Sequence, residues 1–371
     1  MMITIFIITD LILIISFAFL PYITRKTELF GVSIPSGETN NTLLVGMKRS
    51  YRNISLLVGL LMIVSHVVCA MAGLTENQLV VVFIVLITLY LLVMFVIYLK
   101  YHTKMKAFKA QQTWRNAGKE DGDAILIVDT DPIKNEVISP LWLLLYPVLA
   151  IATALIIREI WPIVPDKIPV NIDFAGNVAT WTDKSIGSVV AMLAVQWTMF
   201  IVFAIVYFII RNSKRQIDAS NPDVSKEQGR RFRFIMSASM IFGGAIIGII
   251  IGGLFIILML GVPEIWMMYL SIALLLITVA FMVVIYLRVG QGGSRLKTHE
   301  SNTASVQNRD DDKHWLLGIF YFNRNDPSLF VEKRFGVGYT NNFARPMSWV
   351  ILCSVFAVVG LLIWVTYALI G

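Results

Sequence analysis

The chain has 371 residues, 57% of them hydrophobic and only 15% charged, with a mean hydropathy of +0.74. A soluble domain carries about a quarter charged residues, so the composition excludes an ordinary water-soluble globule and points to an all-α polytopic membrane protein. The formal net charge of +7 is read as juxtamembrane retention and attraction to anionic membrane lipids, not as a nucleic-acid footprint.

A bilayer core needs about 20 apolar residues per helix. That count predicts eight transmembrane helices, over 2–22, 54–74, 79–99, 141–161, 186–210, 235–261, 266–287 and 347–370. The first run has no basic residue before it and no small-residue cleavage site, so it is expected to stay as an anchor. "LTEN" joins spans two and three and "VPEI" joins six and seven, which makes both pairs tight hairpins. The loops after spans one, three, five and seven hold five, seven, seven and nine Lys or Arg, against none in the loops after two and six. By the positive-inside rule both termini lie outside and the basic loops face the cytoplasm.

Five regions follow in chain order. Residues 1–140 form a three-helix membrane region with cytoplasmic loops, and 141–210 a two-helix unit around the extracytoplasmic loop 162–185. Residues 211–298 form a glycine-rich helical hairpin, 299–346 a cytoplasmic hairpin module, and 347–371 the last helix.

Within the spans, polar residues are scarce. Asp10 lies about 12 Å below the outer end of span one, His66 at a similar depth in span two, and Gln196 near 15 Å in span five, at 1.5 Å per residue. Arg158, nearer the outer end of span four, can snorkel outward or bend towards Asp10. These four form a candidate intramembrane polar layer, either a clamp that sets helix register or a proton- or ligand-responsive site. Gly244, Gly248 and Gly252 share one face of span six, a stripe where a neighbouring helix can approach closely.

The loop "IPVNIDFAGNVATWTDKS" (168–185) interrupts the apolar runs with turn chemistry. Pro162, Pro165 and Pro169 stiffen it, Gly176-Asn177 accepts positive φ, "IPVNI" alternates like a strand, and Thr182 or Asp183 is placed to cap the next helix. The alternative is a capped connector. Ile168, Pro169, Gly176, Trp181 and Lys184 follow I-P-x6-G-x4-W-x2-K, which resembles the signature of the N-terminal domain of SdpI-type membrane proteins, over about residues 141–190. "VNIDF" replaces the polar residue usual after the proline. The resemblance implies an immunity protein that meets a secreted membrane-active peptide outside the cell and holds a regulator inside. Pro169, Asp173, Gly176, Trp181 and Lys184 are then the candidate ligand-binding residues.

Before the last span, "WLLGIFYF" is aromatic and β-favouring, "NRNDP" is turn chemistry, and "SLFVEKR" reads as the returning strand of one hairpin over 315–334. Trp315, Tyr321, Asn323, Asp326, Lys333 and Arg334, with Gly318, Gly336, Gly338 and Asn342, resemble a short C-terminal module of uncharacterised Bacillus-type membrane proteins. Because an isolated hairpin is marginal in water, it is expected to dock, as an internal lid or on a partner. "ELFGV" (28–32) and "KRFGV" (333–337) echo one another, so the two loops are candidates to pair at one site, although loops of both kinds draw on the same residue types.

No nucleophile elbow, P-loop or H-E-x-x-H motif occurs, and "GQGGSR" (290–295) precedes a polar linker and not a helix. Cys69 and Cys353 lie in apolar runs. The expectation is a binding protein, not an enzyme, without cofactor or metal, with a transporter of a small or lipidic substrate as the alternative.

Overall fold

The computed structural model describes residues 2–112, 114, 136–172, 178–215, 222–261, 265–296 and 312–370. Among these, the α-helices are α1 (Met2–Ile23), α2 (Thr42–Met71), α3 (Glu76–Ala110), α4 (Leu145–Ile160), α5 (Ile186–Asn212), α6 (Pro222–Met259), α7 (Ile265–Val289) and α8 (Pro346–Ile370). Seven helical stretches are long and apolar enough to cross a membrane: Ile3–Ile23, Thr42–Met71, Asn77–Ala110, Pro140–Ile163, Ile186–Asn212, Asp223–Met259 and Ile272–Gly293. Pro346–Leu361 of α8 is a shorter apolar stretch. Length and composition of these helices make the chain a multi-pass membrane protein.

Several helices outrun their predicted spans. α2 starts at Thr42 instead of 54, α3 continues past 99 to Ala110, and α6 starts at Pro222 instead of 235. Hydropathy registers only the lipid-immersed part of a helix, whereas backbone hydrogen bonding carries it on through "KRSYRN" or "KYHTKMKAFKA". Caps set the true ends. Asn41 accepts from Leu43 N, and Thr75 forms a capping box with Gln78. The cap of α5 is Ser185, boxed with Ser188. Thr182 and Asp183, the expected caps, are instead paired within a strand.

The structure forms two compact units: Met1–Thr130 with Lys214–Gly229 and Val289–Ala344, and Asp131–Ser213 with Arg230–Arg288 and Arg345–Gly371. In the first, α1 buries Phe6, Asp10, Ile14 and Ala18, four apart and so on one face. α2 answers with Tyr51, Ser55, Gly59, Met62 and His66. A Cβ on Gly59 would lie 2.4 Å from Ile14, so glycine there lets the two helices touch. The outward faces are apolar, as at Leu57, Leu61 and Val68. The buried stripe thus holds Asp10, Ser55, Gly59 and His66 among apolar residues, while the exposed face is mostly apolar.

In the second unit the expected glycine stripe meets real neighbours. Gly244 faces Tyr146 and Phe203, Gly248 faces Leu149, and Gly252 faces Thr153 and Gln196.

Among the described residues there are four two-stranded antiparallel sheets: β1 (Glu28–Leu29) with β2 (Val32–Ser33), β3 (Lys167–Ile172) with β4 (Val178–Asp183), β5 (Trp315–Leu316) with β6 (Phe320–Tyr321), and β7 (Phe330–Glu332) with β8 (Tyr339–Asn341). The region 315–334 is therefore not one hairpin. "WLLGIFY" folds on itself about Leu317-Gly318, both at positive φ (54° and 72°). "FVE" pairs onward with "YTN". "NRNDP" makes no hairpin turn because its own side chains take the backbone: Asn323 accepts from Asn325 N and Asp326 from Ser328 N.

Candidate functional site

The most deeply buried polar contact of the first unit is between α1 and α2. His66 Nδ1 and Asp10 Oδ2 share a hydrogen bond of 2.6 Å, with the two side chains 2% and 0% exposed. Close approach at Gly59 sets the helix register that brings them together. Aromatic rings wall the pair. Phe83 lies 5.3 Å from the His66 ring and stacks on Phe6 at 4.0 Å. Tyr90 on α3 is buried and packs edge-on against Phe17 of α1. Asp10 Oδ1, His66 Nε2 and the Tyr90 hydroxyl are buried without a hydrogen-bond partner among the described residues. Each retains capacity for a water, a proton or a polar guest, and such capacity is costly inside a membrane.

Gln196 and Arg158 belong to the second unit. Gln196 donates to Thr153 Oγ1 and to the Gly248 carbonyl, both at 3.2 Å. This ties α5 to α4 and α6 at the glycine stripe. Arg158 is exposed in the last turn of α4.

The hairpin β3–β4 pairs Lys167 with Asp183, Ile168 with Thr182 and Pro169 with Trp181, with a bulge beyond Pro169. Ile168 is fully buried among Ile157, Val164, Met192 and Met259. Lys184 locks the base, donating to the Trp161 and Val164 carbonyls at 2.7 and 2.8 Å with its ammonium 4.9 Å from the Trp161 ring. Lys184 is thereby a structural tie, Pro169 is buried, and Trp181 is 50% exposed. Asp173 and Gly176 lie outside the described residues.

The module 312–344 is the most densely bonded part of the first unit. Asn342, fully buried, donates to the carbonyls of Asn323, Asp326 and Ser328 and accepts from Asn323 N and Ala344 N. Asp326 accepts from the Tyr321 hydroxyl at 2.8 Å and from Lys214 at 2.6 Å. Burial alone would push the Asp326 carboxyl up, but the bonds from Lys214, Ser328 and Tyr321 outweigh it and hold it at about 2. Asn323 donates to the Tyr321 hydroxyl, and Trp315 packs 5.1 Å from the Tyr321 ring. Arg334 covers Trp315 at 5.0 Å and binds both Asp312 and the Gly31 carbonyl. Asp312 also accepts from Lys109 at 2.7 Å and from Ser33. Burial works against its charge, but Arg334 and Lys109 prevail and keep it below the ordinary carboxylate range. Lys333 is exposed.

The F-G-V echo has a physical counterpart. Phe30-Gly31 turns at positive φ (48° and 77°), and Phe335 packs 5.9 Å from Phe30 and 4.5 Å from Tyr98. Gly336 does not repeat that turn; Leu317-Gly318 does. The two tight turns stack glycine on glycine, and a Cβ on Gly31 would fall 2.5 Å from the Gly318 carbonyl oxygen. Tyr98 donates to the Leu317 carbonyl at 2.9 Å, and His102 Nδ1–H to Phe30 O at 2.8 Å. Sequence reasoning passed over Tyr98, His102 and Gln291, whose side chain bonds Gly338 N and O. A Tyr and a His four apart where α3 leaves its apolar run was the available signal.

No group of three or more His, Cys, Asp or Glu suited to a metal occurs among the described residues. A family of unknown function, DUF5808, matches this chain over residues 324–349. That stretch takes in the Asn342–Asp326 knot and the start of α8. No curated protein and no solved structure matches the chain.

Proposed function

We propose that this chain is an integral membrane binding protein of the immunity or envelope-stress type in a bacterial cytoplasmic membrane. It would cross the membrane eight times, α8 being the eighth span, with both termini outside. The hairpin β3–β4 would meet a secreted membrane-active peptide, and the loops on the cytoplasmic side would hold a regulator. The observation that carries the reading is the hairpin itself. A connector needs neither bulged pairing nor a buried Ile168, yet this one is locked at its base by Lys184 and offers a half-exposed indole at Trp181. Rigid, partly exposed aromatics bind with little loss of side-chain entropy. Ile168, Pro169, Trp181 and Lys184 are also the described residues of the SdpI-type signature.

Expression in a susceptible bacterium should raise survival under challenge with secreted membrane-active peptides. Trp181→Ala should abolish protection at an unchanged level in the membrane. Full protection by that variant would refute the hairpin as the ligand site.

One observation favours a second reading, a transporter. Asp10 and His66 place a proton-sharing pair with spare hydrogen-bonding capacity inside a three-helix unit. Asp10→Asn keeps shape and removes charge. A transporter predicts loss of pH-driven substrate uptake in vesicles, whereas a structural clamp predicts uptake unchanged at every pH.

A further inference from the structure

The hairpin β5–β6 is apolar on both faces. Trp315 and Tyr321, opposite each other, are 8% and 3% exposed and pack inward under Arg334. Leu316 and Phe320, the next pair, point the other way at 64% and 40% exposed, and Phe322 continues that face at 47%. A small sheet with one solvated face alternates apolar with polar residues; this one does not. Its tip is stranger still. Leu317 takes φ 54° and is 39% exposed. A left-handed conformation is strained for a residue other than Gly or Asn, and water rewards no leucine there. In the sister turn Phe30 bears the same strain but is fully buried beside Tyr51, Tyr101 and Phe335.

The position of the tip says what covers Leu317. Its carbonyl accepts from Tyr98, and Gly318 packs on His102. Those residues stand where α3 passes from exposed apolar side chains, Leu92, Phe95 and Val96, into "LKYHTKMK". That is the level at which a span leaves the hydrocarbon. Further along the outward face, Arg324 lies 6.0 Å from the Phe322 ring, a basic group at the far end of an apolar stripe. Lys313 is exposed beside the first strand. Apolar side chains with flanking basic ones are the composition of segments that lie in an anionic membrane surface.

We infer that β5–β6 is an interfacial anchor, with Leu316, Leu317, Phe320 and Phe322 seated among the lipid headgroups and upper acyl chains and with Arg324 and Lys313 against lipid phosphates. The module is thereby held to the bilayer as well as to the protein.

Single cysteines at 317, 320 and 322, and at the exposed Asn325 as control, test this in full-length protein carrying Cys69→Ala and Cys353→Ala. Each is labelled with bimane and reconstituted in phosphatidylcholine–phosphatidylglycerol vesicles. Lipids brominated near the headgroup should quench 317, 320 and 322 roughly threefold more than 325, because only the apolar stripe reaches acyl depth. Aqueous iodide should show the reverse order. Equal lipid quenching at all four sites, or iodide reaching 317 and 320 freely, overturns the anchor. Protection of 317 and 320 from both quenchers also overturns it, since a protein then covers the stripe. Leu317→Asn, which keeps the turn because Asn tolerates positive φ, should reduce lipid quenching at 320. Quenching unchanged in that variant assigns the tip no part in anchoring and overturns the inference there.

Discussion

The hairpin 167–183 and the module 312–344 are both small β structures beside apolar helices, yet they are held in opposite ways. The module is cross-tied through buried polar side chains: Asn342 closes the module's own backbone, Asp326 takes the Ser328 amide and Lys214, Asp312 takes Lys109, and Arg334 takes the Gly31 carbonyl. The hairpin owes its place to one buried Ile168 and one Lys184 at its base, and Trp181 is left half exposed. A segment tied through this many buried polar groups is held rigidly to its neighbours. One anchored at its foot can recognise something without unfolding. On the function proposed above, the difference suits the module's knot to scaffolding and the hairpin to recognition.

The comparison breaks most severely at the stacked turns. Gly318→Val forces a branched side chain into positive φ and against Gly31 and His102, and should cost at least about 3 kcal/mol. Limited proteolysis of membrane vesicles would then cut within 312–344, where the parent chain resists. Asn342→Ala comes next. It strands three carbonyls and two amides, an expected loss of about 2–4 kcal/mol, read as faster amide exchange through Asn323–Ser328.

Asp326 sharpens the contrast by pH. Its folded value of about 2 lies below the ordinary 3.8, so its contribution is complete above pH 3.8 and is lost as pH falls through 2. By linkage it is worth about 2 kcal/mol. Asp326→Asn should flatten the acid dependence of module stability over that window, measured by exchange or protease resistance. A profile unchanged by the substitution would show that the ion pair with Lys214 does not hold the knot. The smallest structural effect belongs to Trp181→Ala, within about 0.5 kcal/mol as for other exposed positions. The thermal transition of the purified protein should not move, even where protection is lost.

Much of this was legible in the sequence, for unequal reasons. Long apolar runs announce helices, and "IPVNI" announced a strand. The glycine stripe at 244, 248 and 252 announced a close approach. The buried faces were legible only at Asp10 and His66, whose polarity inside apolar runs marked them as inward. The rest of the stripe, Gly59 included, has no such mark because apolar residues lie on every side of the spans. Strand pairing in 315–341 was misread since "NRNDP" has every mark of a turn. Its Asn and Asp instead serve the loop's own backbone, while a Leu occupies the positive-φ place where Asn or Gly is the usual signal. Asn342 stood in the recognised motif, but nothing local tells that one amide closes three carbonyls.

The contact of Gly31 with Arg334 spans 303 positions, and this has a consequence for biogenesis. A ribosome delivers Phe30 and its neighbours on α2 and α3 long before the residues that cap them. Until those arrive, the first loop lacks the Phe335 ring and the Arg334 bond, a state that proteases and chaperones read as unfinished. Arrival of residues 312–338 is then a signal of completion. Chains truncated before them should be cleared from the membrane even with their early spans inserted.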